Sequence, residues 1–191
     1  MGFLSYQETL NLGFKSVGKD VLVSDKASIY GAEFISLGDY SRIDDFCLLS
    51  ASSDGGIEIG RYVHISAYSS LVGRAKIVMQ DFSGLSSKVA VYSSSDDYSG
   101  EYLTNPTVPA EFKKIDSRPV LIEKHVIVGT GSVILPGVTI KEGSAVGALS
   151  LVNKDIESHI IVMGVPARTI AERKTDLYQK EKSLYESIAK N

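Results

Sequence analysis

The residues of this chain best suited to chemistry at neutral pH are three histidines (His64, His125 and His159), a single cysteine (Cys47) and the acidic pair Asp96 and Asp97. Histidine, with an ordinary pKa of about 6.5, is the natural general base for a hydroxyl nucleophile. His64 lies in Ile59-Gly60-Arg61-Tyr62-Val63-His64-Ile65-Ser66. With Val63 and Ile65 turned into a core, His64 points out of the wall between them. A rigid, outward histidine suits a site built between subunits, and its plainer role is a surface contact. His125 also precedes an inward position, whereas His159 reads as structural or solvent-exposed. The lone cysteine excludes an intramolecular disulfide and a cysteine-rich zinc site. The histidines are 61 and 34 residues apart, whereas a three-histidine zinc site needs two ligands close in sequence, so no metal is expected.

The elements that must position these residues repeat every six residues. Stepping from Ile122 gives Ile122, Val128, Ile134, Ile140, Val146 and Val152, all aliphatic. Two residues before each stands another small or apolar side chain: Val120, Val126, Ser132, Val138, Ser144 and Ser150. Upstream the beat runs in threes: Val17, Val23 and Ile29; Leu37, Ile43 and Leu49; Ile59, Ile65 and Leu71; Met79, Leu85 and Val91. Neither a helix nor a half-buried strand has this period. Two inward positions per hexad fit short strands meeting at corners, three to a coil of 18 residues, with coils stacked about 4.8 Å apart. A sandwich would not hold a six-residue register for so long. The expected fold class is therefore all-β, a parallel β-helix of triangular section.

The ends differ. Ser5-Tyr6-Gln7-Glu8 has capping-box spacing and Gly13 is placed to stop a short helix, so residues 1–14 form an N-terminal helical segment. Residues 15–171 form the β-helix, with a protruding loop at 92–118 that breaks the repeat. Residues 172–191 are charged, with Leu177, Leu184, Tyr185 and Ile188 on one stripe, and read as an amphipathic helix that caps the open edge of the last coil.

Composition bounds the function. The 191 residues are 43% hydrophobic and 23% charged, with a net charge of -3. These values describe one globular domain with short appendages and exclude a disordered chain. They advertise no basic face for nucleic acid or anionic lipid. No apolar run of about 18 residues is present for membrane insertion, and the N-terminus lacks a signal peptide's features, so the expected location is cytoplasmic.

Hexads of the Val-x-Ile-Gly kind, the run Gly147-Ala148-Leu149-Ser150-Leu151-Val152-Asn153-Lys154-Asp155-Ile156 and the motif Gly164-Val165-Pro166-Ala167-Arg168 resemble the hexapeptide-repeat acyltransferases. More narrowly, they are similar to the sugar O-acetyltransferases that include galactoside, maltose and lipopolysaccharide-modifying members. The resemblance runs from about Gly13 to Arg173 and is most specific between Val120 and Arg168. It implies a left-handed coil, an exception to the usual right-handed crossover, and a homotrimer with active sites in the clefts between prisms. It further implies acetyl-CoA as donor and a sugar or sugar-nucleotide acceptor serving surface polysaccharide or lipopolysaccharide synthesis. Direct attack in a ternary complex is expected, because Cys47 is the only thiol and lies at an inward position.

The resemblance also assigns residues. In galactoside-type relatives the catalytic histidine follows the coil equivalent to Met79–Val91, where an ungapped reading places Asp96. Either a loop carboxylate replaces that base or His64 takes over, as a histidine does on a similar coil in sialic-acid and bacillosamine acetyltransferase-like relatives. Asp96 or Asp97 would then orient the imidazole or hold sugar hydroxyls. Ser66, Tyr98, Glu101, Tyr102 and Asn105 are candidates for acceptor binding. Gly129, Thr130 and Gly131, with Gly147 and Ala148, match turns that bond the pantetheine arm, and Lys154, Arg168 and Arg173, with Lys174, suit the CoA phosphates. Two other functions compete with O-transfer: an N-acetyltransferase acting on a nucleotide-linked amino sugar, since an amine needs less base assistance, and a non-catalytic β-helical scaffold.

Overall fold

Each hexad aliphatic becomes the inward residue of a short strand, and the strands of successive coils pair in parallel. The computed structural model describes residues 2–189, a parallel β-solenoid of about seven coils with three faces. The first face is built from Ser16–Val17, Ile35–Leu37, Ile57–Ile59, Ile77–Met79, Val120–Ile122 and Thr139–Ile140. The second holds Leu22–Val23, Arg42–Ile43, His64–Ile65, Gly84–Leu85, Ile127–Val128, Ala145–Val146 and Ile160–Met163. The third holds Ser28–Tyr30, Leu48–Ser50, Ser70–Val72, Ala90–Tyr92, Val133–Ile134 and Leu151–Val152.

The register stacks like on like. On the second face Val23, Ile43, Ile65, Leu85, Val128, Val146 and Val162 lie one above the next, all buried. The positions two residues earlier are mostly buried too, and several of their serines donate to backbone carbonyls, while the buried Ser41 Oγ has no partner among the described residues. Ser132 and Ser150 both donate to the carbonyl of Gly147, at 3.0 and 2.7 Å. The interruptions of the six-residue spacing all fall at the corner between the third and first faces. They are Ile29 to Leu37, Leu49 to Ile59, Leu71 to Met79, the shortened step Val152 to Ile156 and the long one, Val91 to Ile122. The last is a hairpin: Ser94–Asp96 pairs antiparallel with Ile115–Ser117, and Arg118 N–H donates to Ser93 O at 3.0 Å to close its base.

The other two corners turn through left-handed residues, many of them bulky: Tyr40, Phe46, Tyr62, Tyr68 and Phe82 all have φ between 57 and 63°. That conformation costs a non-glycine residue roughly 1–2 kcal/mol. Stacking offsets it, because the same corner position recurs in every coil. Rings Tyr40–Tyr62, Tyr62–Phe82 and Phe82–His125 stack with centroids 4.8, 4.9 and 5.2 Å apart, and such pairs contribute about 0.5–1.5 kcal/mol each.

At the N-terminus α1 spans Tyr6–Asn11, and the Ser5–Glu8 capping box forms in full. The C-terminus departs from expectation in where the helix begins and what it covers. Glu172, the expected first residue of the helix, ends a strand, Arg168–Glu172, antiparallel to Ile160–Met163, and it is this strand that covers the edge of the last coil. The helix, α2, spans Leu177–Ile188 and lies against the aromatic corner rather than over the end of the stack. Glu181 accepts from Lys124 Nζ at 2.6 Å and from His125 Nε2 at 2.8 Å, Tyr185 meets Phe82 edge-on, and Tyr178 meets both His125 and His159 edge-on. An edge is better satisfied by a strand, which supplies backbone partners, than by a helix, which has none to offer. Lys190 and Asn191, within the expected helix, lie outside the described residues.

Burial alone would raise the Glu181 carboxyl, but its bonds to Lys124 and His125 hold it below the usual range. Removing it in Glu181→Ala leaves Lys124 and His125 without their acceptor under the helix and is expected to destabilise by about 1–3 kcal/mol. Denaturant titration, together with faster amide exchange confined to α2, checks this.

Candidate active site

His64 and Ser66 stand on the second face on either side of buried Ile65. Pairing sets Arg42 of the preceding coil and Gly84 of the following coil in register with His64. Two residues further along each coil, the N–H groups of Asp44, Ser66, Ser86, Gly129 and Gly147 each donate to the next ladder carbonyl. These five residues therefore form a straight column beside the histidine. Its side chains shrink from a carboxylate through two hydroxymethyl groups to two hydrogens. At Gly129 the neighbouring coil demands this, since a Cβ there would lie 2.5 Å from Ala148 N.

Asp44 holds His64. Its side chain is 9% exposed against 49% for the histidine, and its Oδ2 accepts from His64 Nε2 at 2.9 Å. Its Oδ1 accepts from Arg42 Nε at 2.6 Å, and the Arg42 guanidinium lies over the Phe3 ring, 5.1 Å from the centroid. Burial pushes the Asp44 carboxyl upward, yet the bonds from Arg42 and His64 outweigh it and keep the group below the ordinary carboxylate range. It is ionised at neutral pH, and its share of stability is complete above the ordinary carboxylate pKa and lost as pH falls through the depressed value. Sequence reading missed Asp44, although the phase of the repeat contained it: Ile43 and Ile65 share a ladder, so the neighbours of one must flank the neighbours of the other.

The histidine opens onto a recess of about 340 Å³. Ser66, Gly84 and Ser86 line its floor, Phe82 and His125 one side, and Arg173 and Leu177 lie where the C-terminal segment crosses it. Gly84 keeps it open. The residue's φ is not left-handed, and a Cβ would meet only His64 O, at 3.6 Å, so no backbone constraint calls for glycine there.

The remaining predicted residues are dispersed. Asp96 accepts from Asn105 N–H at 3.1 Å, and Asp97 accepts from Ser99 Oγ and from the N–H groups of Ser99 and Gly100. The Ser99 hydroxyl holds the Asp97 carboxyl below its usual range. Within the chain neither carboxylate orients His64; Asp44 does so instead, because the hairpin leaves the prism at the corner opposite the second face. Tyr98, 93% exposed, projects from that hairpin with Glu101, Tyr102 and Asn105, and Lys114 lies over the Tyr102 ring. The N–H groups of Gly129, Gly131 and Gly147 are engaged by the carbonyls of Val146, Ser87 and Val162, and Thr130 Oγ1 donates to Ser87 O, while Ala148 follows Gly147 in the turn. Lys154 and Arg168 line a second cavity of about 340 Å³ at the end of the stack, beside Asp155 and Glu157. Arg173 is not there. Its Nη1 donates to the carbonyls of His125, Gly143 and Ser144 at 2.8 to 3.0 Å and fastens the C-terminal segment to the coils. Burial lowers its pKa. Among the described residues no group of three or more histidine, cysteine, aspartate or glutamate side chains is arranged to hold a metal, and no helix is long and apolar enough to cross a membrane.

Known enzymes resemble this chain in sequence and in fold. The chain is 48% identical over 181 residues to dTDP-4-amino-4,6-dideoxy-D-glucose acyltransferase of Escherichia coli, covering 95% of this chain and 94% of that one. It is similar to AntD, an N-acyltransferase from Bacillus cereus solved with dTDP-4-amino-4,6-dideoxyglucose and coenzyme A, at 44% identity and a TM-score of 0.93, covering 97% and 98% of the two chains. A hexapeptide-repeat acetyltransferase of Vibrio cholerae, complexed with acetyl-CoA, shares the fold at 22% identity and a TM-score of 0.60, over 89% and 76% of the two chains. No family model matches the chain. The chain belongs to the hexapeptide-repeat acyltransferases and is an acyltransferase.

Two outcomes follow from the geometry. Gly84→Val, a good strand former, is expected to fold with near-native stability while filling the recess. A loss of turnover with an unchanged melting temperature checks it. Cys47 is fully buried, its Sγ donating to Ser66 O at 3.2 Å, and burial pushes its thiol up to about 11. It is expected to resist alkylation in the native enzyme and react only after denaturation, which mass spectrometry resolves.

Proposed function

We propose that this enzyme transfers an acyl group from coenzyme A to the 4-amino group of a dTDP-linked 4-amino-4,6-dideoxyglucose. The observation that carries the reading is the similarity over nearly the full length to an acyltransferase named for this sugar and to an N-acyltransferase solved with it. The hydroxyl acceptor expected from the galactoside and maltose members thus gives way to an amine. The absence of a histidine at Asp96 supports this, because an amine in its neutral form attacks a thioester without first losing a proton.

The donor is acetyl-CoA or a close acyl-CoA, with its pantetheine arm along the column Ser66, Ser86, Gly129 and Gly147. That wall has no side chain larger than a hydroxymethyl group, which fits a thin arm lying close. Lys154 and Arg168 supply cations for its phosphates, while Arg173 is committed to the carbonyls it clasps. In a ternary complex the sugar nitrogen attacks the thioester carbonyl. The carbon–nitrogen bond forms, the carbon–sulfur bond breaks, the nitrogen gives up a proton to a base, and the departing thiolate takes one up. His64 is that base, with Ser66 beside it as a donor to the acceptor or the oxyanion. Asp96 and Asp97 are counter-ions for the sugar ammonium, and Tyr98, Glu101, Tyr102 and Asn105 hold the sugar nucleotide. These residues reach the recess from another copy of the chain in a homotrimer, since in one chain they spring from the opposite corner. The exposed Leu103 and Phe112 of the hairpin gain a covering in such an assembly. A nucleotide-sugar substrate accords with a cytoplasmic location.

The test is acyl-CoA consumption with dTDP-4-amino-4,6-dideoxyglucose and with its 4-hydroxy counterpart. Turnover is expected on the amine alone. His64→Ala is expected to lower kcat by about tenfold, less than the ~10²–10⁴ loss a hydroxyl acceptor would show. Turnover on the hydroxyl that collapses in the variant overturns the assignment.

A further inference from the structure

We propose that Asp44 is the positioning residue for His64: it fixes the imidazole as the Nε2–H tautomer and so makes Nδ1 the atom that accepts the substrate proton. An ionised carboxylate only accepts hydrogen bonds. The nitrogen that meets Asp44 Oδ2 at 2.9 Å must therefore carry the proton, which in a neutral imidazole leaves the lone pair on Nδ1. Among the described residues no side chain or backbone group bonds Nδ1.

Three features make this arrangement rigid. Asp44 is itself anchored through its other oxygen by Arg42 Nε, and Arg42 is in turn packed over Phe3. The backbones of Arg42 and His64 are neighbours in the sheet, with Arg42 N–H donating to Val63 O and Asp44 N–H to Ile65 O. On the opposite side Gly84 presents no side chain that would offer the ring an alternative partner. Among the described residues the other titratable or charged groups lining the recess are Tyr62, stacked between Tyr40 and Phe82, His125, bonded to Glu181, and Arg173, which clasps backbone carbonyls. The carboxylate thus stands to the imidazole as a buried aspartate stands to a catalytic histidine in hydrolytic triads, holding ring and tautomer without itself taking a proton.

The functional consequence rests on the proposal that His64 is the base, whereas the tautomer itself does not. The first measurement is therefore spectroscopic. In the wild-type enzyme, at a pH where the imidazole is neutral, two-bond proton–nitrogen correlation of His64 is expected to show a protonated Nε2 and a bare Nδ1. The reverse assignment overturns the proposal without any variant having to fold. The second measurement compares Asp44→Asn, which keeps the shape and loses the charge, with Asp44→Glu. In Asp44→Asn the amide can turn its NH2 toward the ring, so the tautomer is expected to mix or invert. Turnover of the amino-sugar substrate is expected to fall about tenfold in kcat with little change in its KM, and Asp44→Glu is expected to recover part of it. A folded Asp44→Asn that keeps the Nε2–H tautomer and full kcat overturns the proposal. A tautomer that inverts while kcat stays unchanged upholds the positioning and overturns His64 as the base.

Discussion

Everything this molecule presents to solvent is placed by the vertical alignment of its interior aliphatics. The ladder from Val23 to Val162 fixes the register of the second face, and a slip of one residue in any coil would turn its buried side chains outward. The cost of such a slip is high because the ladder residues are buried almost without exception. Register in turn determines which outward residues meet. Arg42, Asp44, His64, Gly84 and Ser86 come from three different coils, yet they stand within one patch because their coils carry the same phase.

The corners are the second consequence of stacking. A left-handed tyrosine or phenylalanine is poorly tolerated in isolation. Repeated in register, the rings contact one another, and the aromatic column gives α2 a surface to dock on. The helix then brings Leu177 and Arg173 to the mouth of the recess. The C-terminal segment is thus part of the site wall rather than a lid on the end of the prism. The corner between the third and first faces, by contrast, has no such column, and it is where the chain accepts insertions and releases its hairpin. The recess and the hairpin therefore occupy opposite sides of one prism.

The six-residue spacing by itself determined the coil, the three faces, which residues are inward and the outward direction of His64, because burial of every sixth side chain leaves no other solution. The capping box at Ser5 and the hairpin break were equally local and equally legible. Asp44 was not singled out, since its role depends on which coil lies above which, and that distance of twenty residues in sequence carries no chemical label. The path of the C-terminus was also decided in three dimensions. An amphipathic stripe states that α2 must pack, but only the presence of an aromatic corner with Lys124 and His125 upon it selects where. Arg173 illustrates the same division: sequence makes it a cation near the end of the stack, and the fold commits that cation to three backbone carbonyls.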